Sequence, residues 1–373
     1  MHNFLSHPLV VFTGLVLGTA SAESVRVYFG TGGNEGIHSA LLDEETGELR
    51  GMKMAVEASG AGFLALSKDG RSLYSTASGK DRQGAVNSYE ISPEGALELR
   101  NSQPSMGRGA CFVGLDQTNQ MVMVANYGSG SVAALGIGDD GSLEKSVSFF
   151  EHEGSSVNAK RQQEPHAHSI YAGPDNQFAY APDLGTDEVV IYRMEPAEAK
   201  LMKAGAAKMP PGSGPRHMKF STDGKLAYVL SELTLTVVAF SRDPESGQLS
   251  QKQVVSVLPD GESTDGMTCS EILVSSDGRF VYTANRDTAG KGRDSLSVLK
   301  VLDGGGLERI QTIGAEVSIP RNINLSPSGK WLLVAGQKAG GIPVFSVGEN
   351  GMLAFSDQRV DLNSAMCVVF HTK

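Results

Sequence analysis

The chain has 373 residues, 40% of them hydrophobic, which is enough to bury a sizeable core, and its 45 glycines favour one large all-β domain over two ordinary domains. It carries 42 acidic residues against 32 Lys and Arg, a net charge of −10, with no basic run anywhere, so nothing in it is suited to gripping nucleic acid.

The first 22 residues differ from all that follow. "LVVFTGLVLG" is an apolar stretch of signal-peptide length, and "TASA" ends in a small-x-small pattern at Ala20 and Ala22. The pattern predicts a leader over residues 1–22 and one mature domain over 23–373, placed in the periplasm or secreted. The segment before the apolar core holds two histidines and no Lys or Arg, so a retained N-terminal anchor is the alternative. No later segment is apolar for long enough to cross a membrane, so none is expected to hold the mature chain there. "GTGGNEG" at 30–36 lacks the Lys-Ser/Thr ending and helical continuation of a phosphate loop, and reads as a loop between strands.

Two series of segments then alternate. "FLALSKDGRSLYSTAS", "CFVGLDQTNQMVMVANY", "HSIYAGPDNQFAYAPDL", "RHMKFSTDGKLAYVLSE", "EILVSSDGRFVYTANR" and "RNINLSPSGKWLLVAGQ" each read as strand, tight turn, strand. Their turns align on Gly70, Asn119, Asn176, Gly224, Gly278 and Gly329, residue types that tolerate the positive φ of a short hairpin. The second series, strand, turn and start of strand, closes on Leu49, Leu97, Leu143, Leu201, Leu249, Leu307 and Leu353. Seven members against six means that one unit is split, with "VRVYFG" at the start and "MCVVF" at the end completing it. The prediction is an all-β, seven-bladed β-propeller closed by pairing of N- and C-terminal strands.

That architecture locates chemistry. Residues eight before and eight after each turn fall at one face of the propeller. Eight before gives Gly62, Cys111, His168, Arg216, Ser270 and Arg321; eight after gives Ser78, Tyr127, Leu184, Glu232, Arg286 and Gln337. Blades four to seven thus bring His168, Arg216, Glu232, Arg286, Arg321 and Gln337 to one rim of the channel. Three arginines converging in an acidic protein point to a bound anion, because guanidinium offers a rigid, permanently charged fork. Glu232 and His168 are then the groups able to move protons, either one serving as the base.

The "HAH" pair adds His166, which points the same way as His168 on an extended segment. Zinc needs three or four ligands and the neighbouring slots supply arginines, so His166 is expected in a supporting, substrate-side role and no metal or cofactor is expected. His217 should alternate away from Arg216 and pack between blades. The three cysteines, Cys111, Cys269 and Cys367, are widely spaced and read as buried thiols.

As a set, "YFGTGGNEGIHSALLDEETGEL", "VANYGSGSVAALGIGDDGSL", "PHAHS", "GPRHMKFSTDGKLAYVLSEL", "SSDGRFVYTANR", "PRNINLSPSGKWLLVAGQ" and "MCVVF" resemble the seven-bladed lactonase propellers. That family includes propeller-type 6-phosphogluconolactonase and fungal 3-carboxy-cis,cis-muconate cycloisomerase. The resemblance spans essentially the whole mature chain and implies one histidine, two arginines and a glutamate at the active site, falling by motif on His168, Arg216, Arg286 and Glu232. It adds Arg321 and Gln337 as pocket residues. Two departures stand out: Ser231 where the family commonly has Asn, and a leader, which sets this chain apart from cytoplasmic handling of phosphorylated lactones. Blade six also carries an extra loop, "RDTAGKGRDS".

The expected function is hydrolysis of a small anionic, sugar-acid type lactone, 6-phosphogluconolactonase-like. The arginines clamp the anion and a His/Glu pair transfers protons. The alternatives are a muconate-type cycloisomerase, a non-catalytic secreted binding propeller, and a calcium-dependent lactonase with Asp183, Asn126 and Asn285 as ligands. The oligomeric state is left open.

Overall fold

The computed structural model describes residues 24–79 and 83–372; the expected leader, residues 1–22, lies outside the described residues. Its 28 strands form seven four-stranded antiparallel sheets, and among the described residues the helical elements are single 3-10 turns. The molecule is the seven-bladed β-propeller read from the repeats.

Blade one is the split unit. The first strand, Ser24–Thr31, lies between Ile37–Asp43 and the last strand, Ala365–His371, so the two chain ends close the ring. Each remaining blade takes four consecutive strands, the first lying innermost. These inner strands, Leu64–Leu66, Ala110–Leu115, Tyr171–Ala172, Pro215–Phe220, Met267–Val274, Ser318–Leu325 and Ala365–His371, surround the channel.

Apolar residues on both faces of the middle strands pack between neighbouring blades. Between blades four and five, for example, Phe178, Tyr180 and Ile191 meet Met218, Val229 and Phe240. Burial on both faces explains why these strands read as apolar runs rather than as strict alternation. A buried polar latch recurs beside this packing. Tyr28, Tyr74, Tyr228 and Tyr282 each donate a hydroxyl hydrogen bond, of 3.0–3.4 Å, to the carbonyl of a turn glycine in the next blade. Between blades seven and one the latch is instead Trp331 Nε1 donating to the Glu44 carbonyl at 3.1 Å.

One irregularity positions the site. The inner strand of blade five pairs Pro215 with Ser231 and His217 with Leu230, leaving Arg216 as an extra residue. The same break leaves out Cys111, Ser270, Arg321 and, on the closing strand, Met366. A β-bulge bends its strand and re-aims the extra side chain. Four of the six residues read as eight before a turn are thus the extra residue of a bulge, and Arg216 does not pair directly with Glu232 across its hairpin. Met366 is the matching residue of the split blade, missed because that blade has no inner turn to count from.

Candidate active site

Glu232 follows the second strand of blade five, Leu226–Ser231, and is held by its backbone, with N–H to the Gly214 carbonyl at 2.8 Å and its carbonyl accepting from Cys269 N at 3.0 Å. Its side chain is gripped by three guanidinium groups. Oε2 lies 3.1 Å from both Arg216 Nε and Arg286 Nη2, and Oε1 accepts from Arg161 Nη2 at 2.9 Å. Arg216 and Arg286 converge as the strand slots predicted. Arg161 was not foreseen: it sits in the irregular segment between the outer strand of blade three and the inner strand of blade four, outside both repeat series. It also donates to Tyr127 Oη at 3.1 Å.

His168 is buried with Nε2 3.9 Å from Glu232 Oε2, near but not bonded to it. Its ring meets Tyr127 and His217 edge-on, and Nδ1 lies 3.9 Å from Cys111 Sγ. His166 is turned elsewhere, stacked on Tyr127 with ring centroids 4.4 Å apart and donating from Nδ1 to the Tyr127 carbonyl at 3.0 Å. Gln337 makes no hydrogen bond to the cluster among the described residues.

A cavity of about 180 Å³ opens beside this cluster. Arg216, His217 and Arg321 line it from the later blades and Gly32, Gly60, Gly62, Thr76 and Ser78 from the early ones, with Phe63, Cys111 and Met366 also among the lining residues. The asymmetry matches the expectation of charge on the later blades and small residues on the early ones. His168 and Glu232 are not on the wall, and reach it through Cys111 and Arg216. His217 is on the wall, contrary to the expectation that it alternates away, because the bulge at Arg216 cancels one step of alternation.

Charge in this space is lopsided. Burial alone would raise the Glu232 carboxyl, but Arg286, Arg216 and Arg161 outweigh it and hold the group at about 2. Arg321 has no hydrogen-bonded or ionic partner among the described residues, and burial together with repulsion from Arg216 and Arg286 brings it down to about 9. Burial, reinforced by Arg216, His217 and Arg321, pushes His168 well below the usual imidazole range, leaving it neutral. Three guanidinium groups thus share one carboxylate, and the fourth, Arg321, has no carboxylate of its own among the described residues.

The residues considered as calcium ligands do not converge. Asp183 Oδ1 accepts from the backbone of His166, Gly185 and Thr186, and Oδ2 faces His152 Nδ1 at 2.6 Å. Asn126 is bonded to Ser105 and Ser131, and Asn285 to Ser295 and Ser297, in separate networks. Cys269 and Cys367 are buried free thiols as expected, whereas Cys111 is half-buried on the cavity wall.

The sequence profile described as Lactonase, 7-bladed beta-propeller, matches residues 15–370. A 6-phosphogluconolactonase of Bacillus subtilis is 36% identical over 351 residues, covering 92% of this chain and 97% of the relative. A 6-phosphogluconolactonase of Formosa agariphila is 29% identical over 346 residues, covering 90% and 96%. Among solved structures, the periplasmic gluconolactonase PpgL of Pseudomonas aeruginosa superposes with a TM-score of 0.87 at 30% identity, covering 94% of this chain and 99% of its own.

Proposed function

Because the chain belongs to the lactonase family of seven-bladed β-propellers, we propose that it hydrolyses a small lactone bearing an anionic substituent, of the sugar-acid type handled by 6-phosphogluconolactonase. The observation that carries this reading is the unpaired Arg321 beside Arg216 on the wall of a closed-in cavity. A half-buried cation without a partner beside two further guanidinium groups is costly, and an anionic ligand offsets that cost. The opposite wall, built of glycines and hydroxyls, leaves room for a polyol chain and offers it hydrogen bonds.

The mechanism divides the labour between His168 and Glu232. A carboxylate tied to three guanidinium groups at about 2 is a poor proton acceptor at neutral pH; His168 is neutral with no hydrogen bond at Nε2 among the described residues, and a bound anion offsets the arginine charge that depresses it. His168 stands behind Cys111 on the cavity wall, so in this reading its Nε2 takes the proton of the attacking water through a relaying water as the oxygen adds to the lactone carbonyl. Negative charge gathers on the carbonyl oxygen and is stabilised by Arg216 on the cavity wall, with Arg286 adding positive charge from behind it and Glu232 holding both in place. The ring C–O bond then breaks and the leaving alkoxide recovers the proton from His168, giving the open hydroxy acid. Cycloisomerisation needs a group that is protonated beforehand, and a histidine held neutral serves hydrolysis better.

The N-terminal pattern supports a location in the periplasm or outside the cell, and the similar P. aeruginosa gluconolactonase is described as periplasmic. N-terminal sequencing of protein recovered from the periplasmic fraction tests the cleavage after Ala22. The activity is tested by pH-stat titration of gluconolactone, 6-phosphogluconolactone and muconolactone with wild type and Arg216→Ala. Acid release above background that vanishes in the variant supports the reading. Background rates on all three lactones, or full activity in the variant, overturns it.

A further inference from the structure

We infer that Glu271 and His217 form a buried positioning dyad that fixes the Arg216 guanidinium for its role at the cavity wall. The inference rests on the proposed part of Arg216 in stabilising the reacting carbonyl oxygen.

The two histidine nitrogens face different partners. Nδ1 lies 2.9 Å from Glu271 Oε1, an acceptor, so Nδ1 carries the proton. Nε2 lies 3.2 Å from Arg216 Nη1, which can only donate, so Nε2 presents its lone pair. The surroundings therefore select one neutral tautomer, and protonation at Nε2 would set two N–H groups against each other. Burial and the neighbouring Arg216 cation, which depress the imidazole, agree with this state.

Glu271 is itself tied down. Oε1 also accepts from Ile272 N at 3.0 Å, and Oε2 accepts from Asn322 Nδ2 at 2.5 Å. Asn322 Oδ1 in turn accepts from Val368 N at 2.9 Å on the strand that closes the ring. A hydrogen-bonded line thus runs from blade one through blades seven and six to the guanidinium in blade five. Glu232 takes the Nε edge of Arg216 while His217 and the Ser270 carbonyl take Nη1. Only the bulge at Arg216 lets two consecutive residues serve this one arrangement.

The competing reading is plain packing, because the His217 ring meets Phe63, Phe112 and Tyr171 edge-on. Two substitutions separate the readings. In His217→Gln the amide N–H can reach Glu271 and the amide oxygen can face Arg216; His217→Phe keeps the ring and loses both polar contacts. Steady-state hydrolysis by the full chain should leave His217→Gln within a few-fold of wild type. His217→Phe should lose about 10- to 100-fold, as when a supporting hydrogen bond to a functional group is removed, with the loss in kcat rather than KM. The reverse order overturns the inference in favour of packing, and equal loss in both overturns it in favour of proton transfer by His217. Should His217→Phe fail to fold, Glu271→Gln carries the test: a fall in kcat supports positioning and an unchanged kcat overturns it. Wild-type activity in Arg216→Ala would instead remove the underlying reading of Arg216.

Discussion

His168 Nε2 stands 3.9 Å from Glu232 Oε2, while the same oxygen meets Arg216 and Arg286 at 3.1 Å. The carboxylate is turned toward guanidinium groups rather than toward the imidazole, which suits it to anchor them and is why we propose His168 rather than Glu232 as the proton carrier.

Glu232→Gln therefore damages two properties at once. Buried Arg216 and Arg286 would face a neutral amide, and removing one partner of a buried ion pair costs about 3–5 kcal/mol. Urea denaturation should show a loss of that order, and kcat should fall because the arginines relax away from the carbonyl. A variant of wild-type stability with reduced turnover would return Glu232 to the role of base.

Arg321 should behave in the opposite way. It is a half-buried cation with no partner among the described residues, repelled by Arg216 and Arg286, so Arg321→Met removes that repulsion and part of a desolvation cost and should leave stability equal or higher. The same change should raise KM for an anionic lactone by at least about tenfold, a loss equivalent to one charge-assisted contact of about 1.4 kcal/mol or more. A variant that loses stability and keeps its KM would show that Arg321 holds the fold rather than the substrate.

The contrast between these arginines shows where sequence reasoning reached and where it stopped. Counting from the turn positions, Asn176 for His168 and glycines for the others, brought Arg216, Glu232, Arg286 and His168 together, because a repeated hairpin keeps its register with the turn. It missed Arg161, whose loop belongs to no repeat, and it misdirected His217, because a bulge cancels a step of strand alternation without leaving a residue signature. His166 and Gln337 were drawn in by proximity in sequence or slot alone. The His166 side chain is held on Tyr127 by stacking and a hydrogen bond, and Gln337 is not among the residues lining the cavity, because local contacts rather than position in the repeat decide orientation.

Acid should weaken the fold in two stages. His168 and His217 are buried and neutral, with folded pKa values below the ordinary 6.5, so below that pH the unfolded chain binds protons that the folded chain refuses. Stability is complete above about 6.5 and falls as pH drops toward the folded values. Glu232 adds a second loss between its ordinary 4.5 and its folded value of about 2. Urea midpoints at pH 8, 6 and 5 should decline in that order, and equal midpoints at pH 8 and 5 would refute the buried neutral histidines.

The blade latches allow a stability test remote from the chemistry. Tyr282 Oη donates to the Gly351 carbonyl at 3.1 Å, and Tyr282→Phe should cost about 1 kcal/mol with kcat and KM unchanged. Gly351→Ala should cost more, because φ is +77° and an added Cβ would lie 2.4 Å from the Phe280 ring. Equal stability of the two variants would show that the turn adapts and that the glycine is not needed there.

Arg161 tests whether the outermost guanidinium contributes charge or shape. Its side chain is 37% exposed, so its pair with Glu232 is worth at most about 1 kcal/mol to the fold, and Arg161→Ala should unfold close to wild type. Its catalytic effect should be larger than its effect on stability, because one nitrogen of the fork serves both Glu232 Oε1 and Tyr127 Oη and so fixes the carboxylate's rotation. A lysine supplies the same charge without the planar fork. If shape matters, Arg161→Lys and Arg161→Ala should lose kcat/KM alike, by about tenfold, the scale for removing a hydrogen-bonding support of a functional group. If Arg161→Lys restores wild-type kcat/KM, charge alone is what this position supplies, and rising salt should then erase the difference between the alanine variant and wild type.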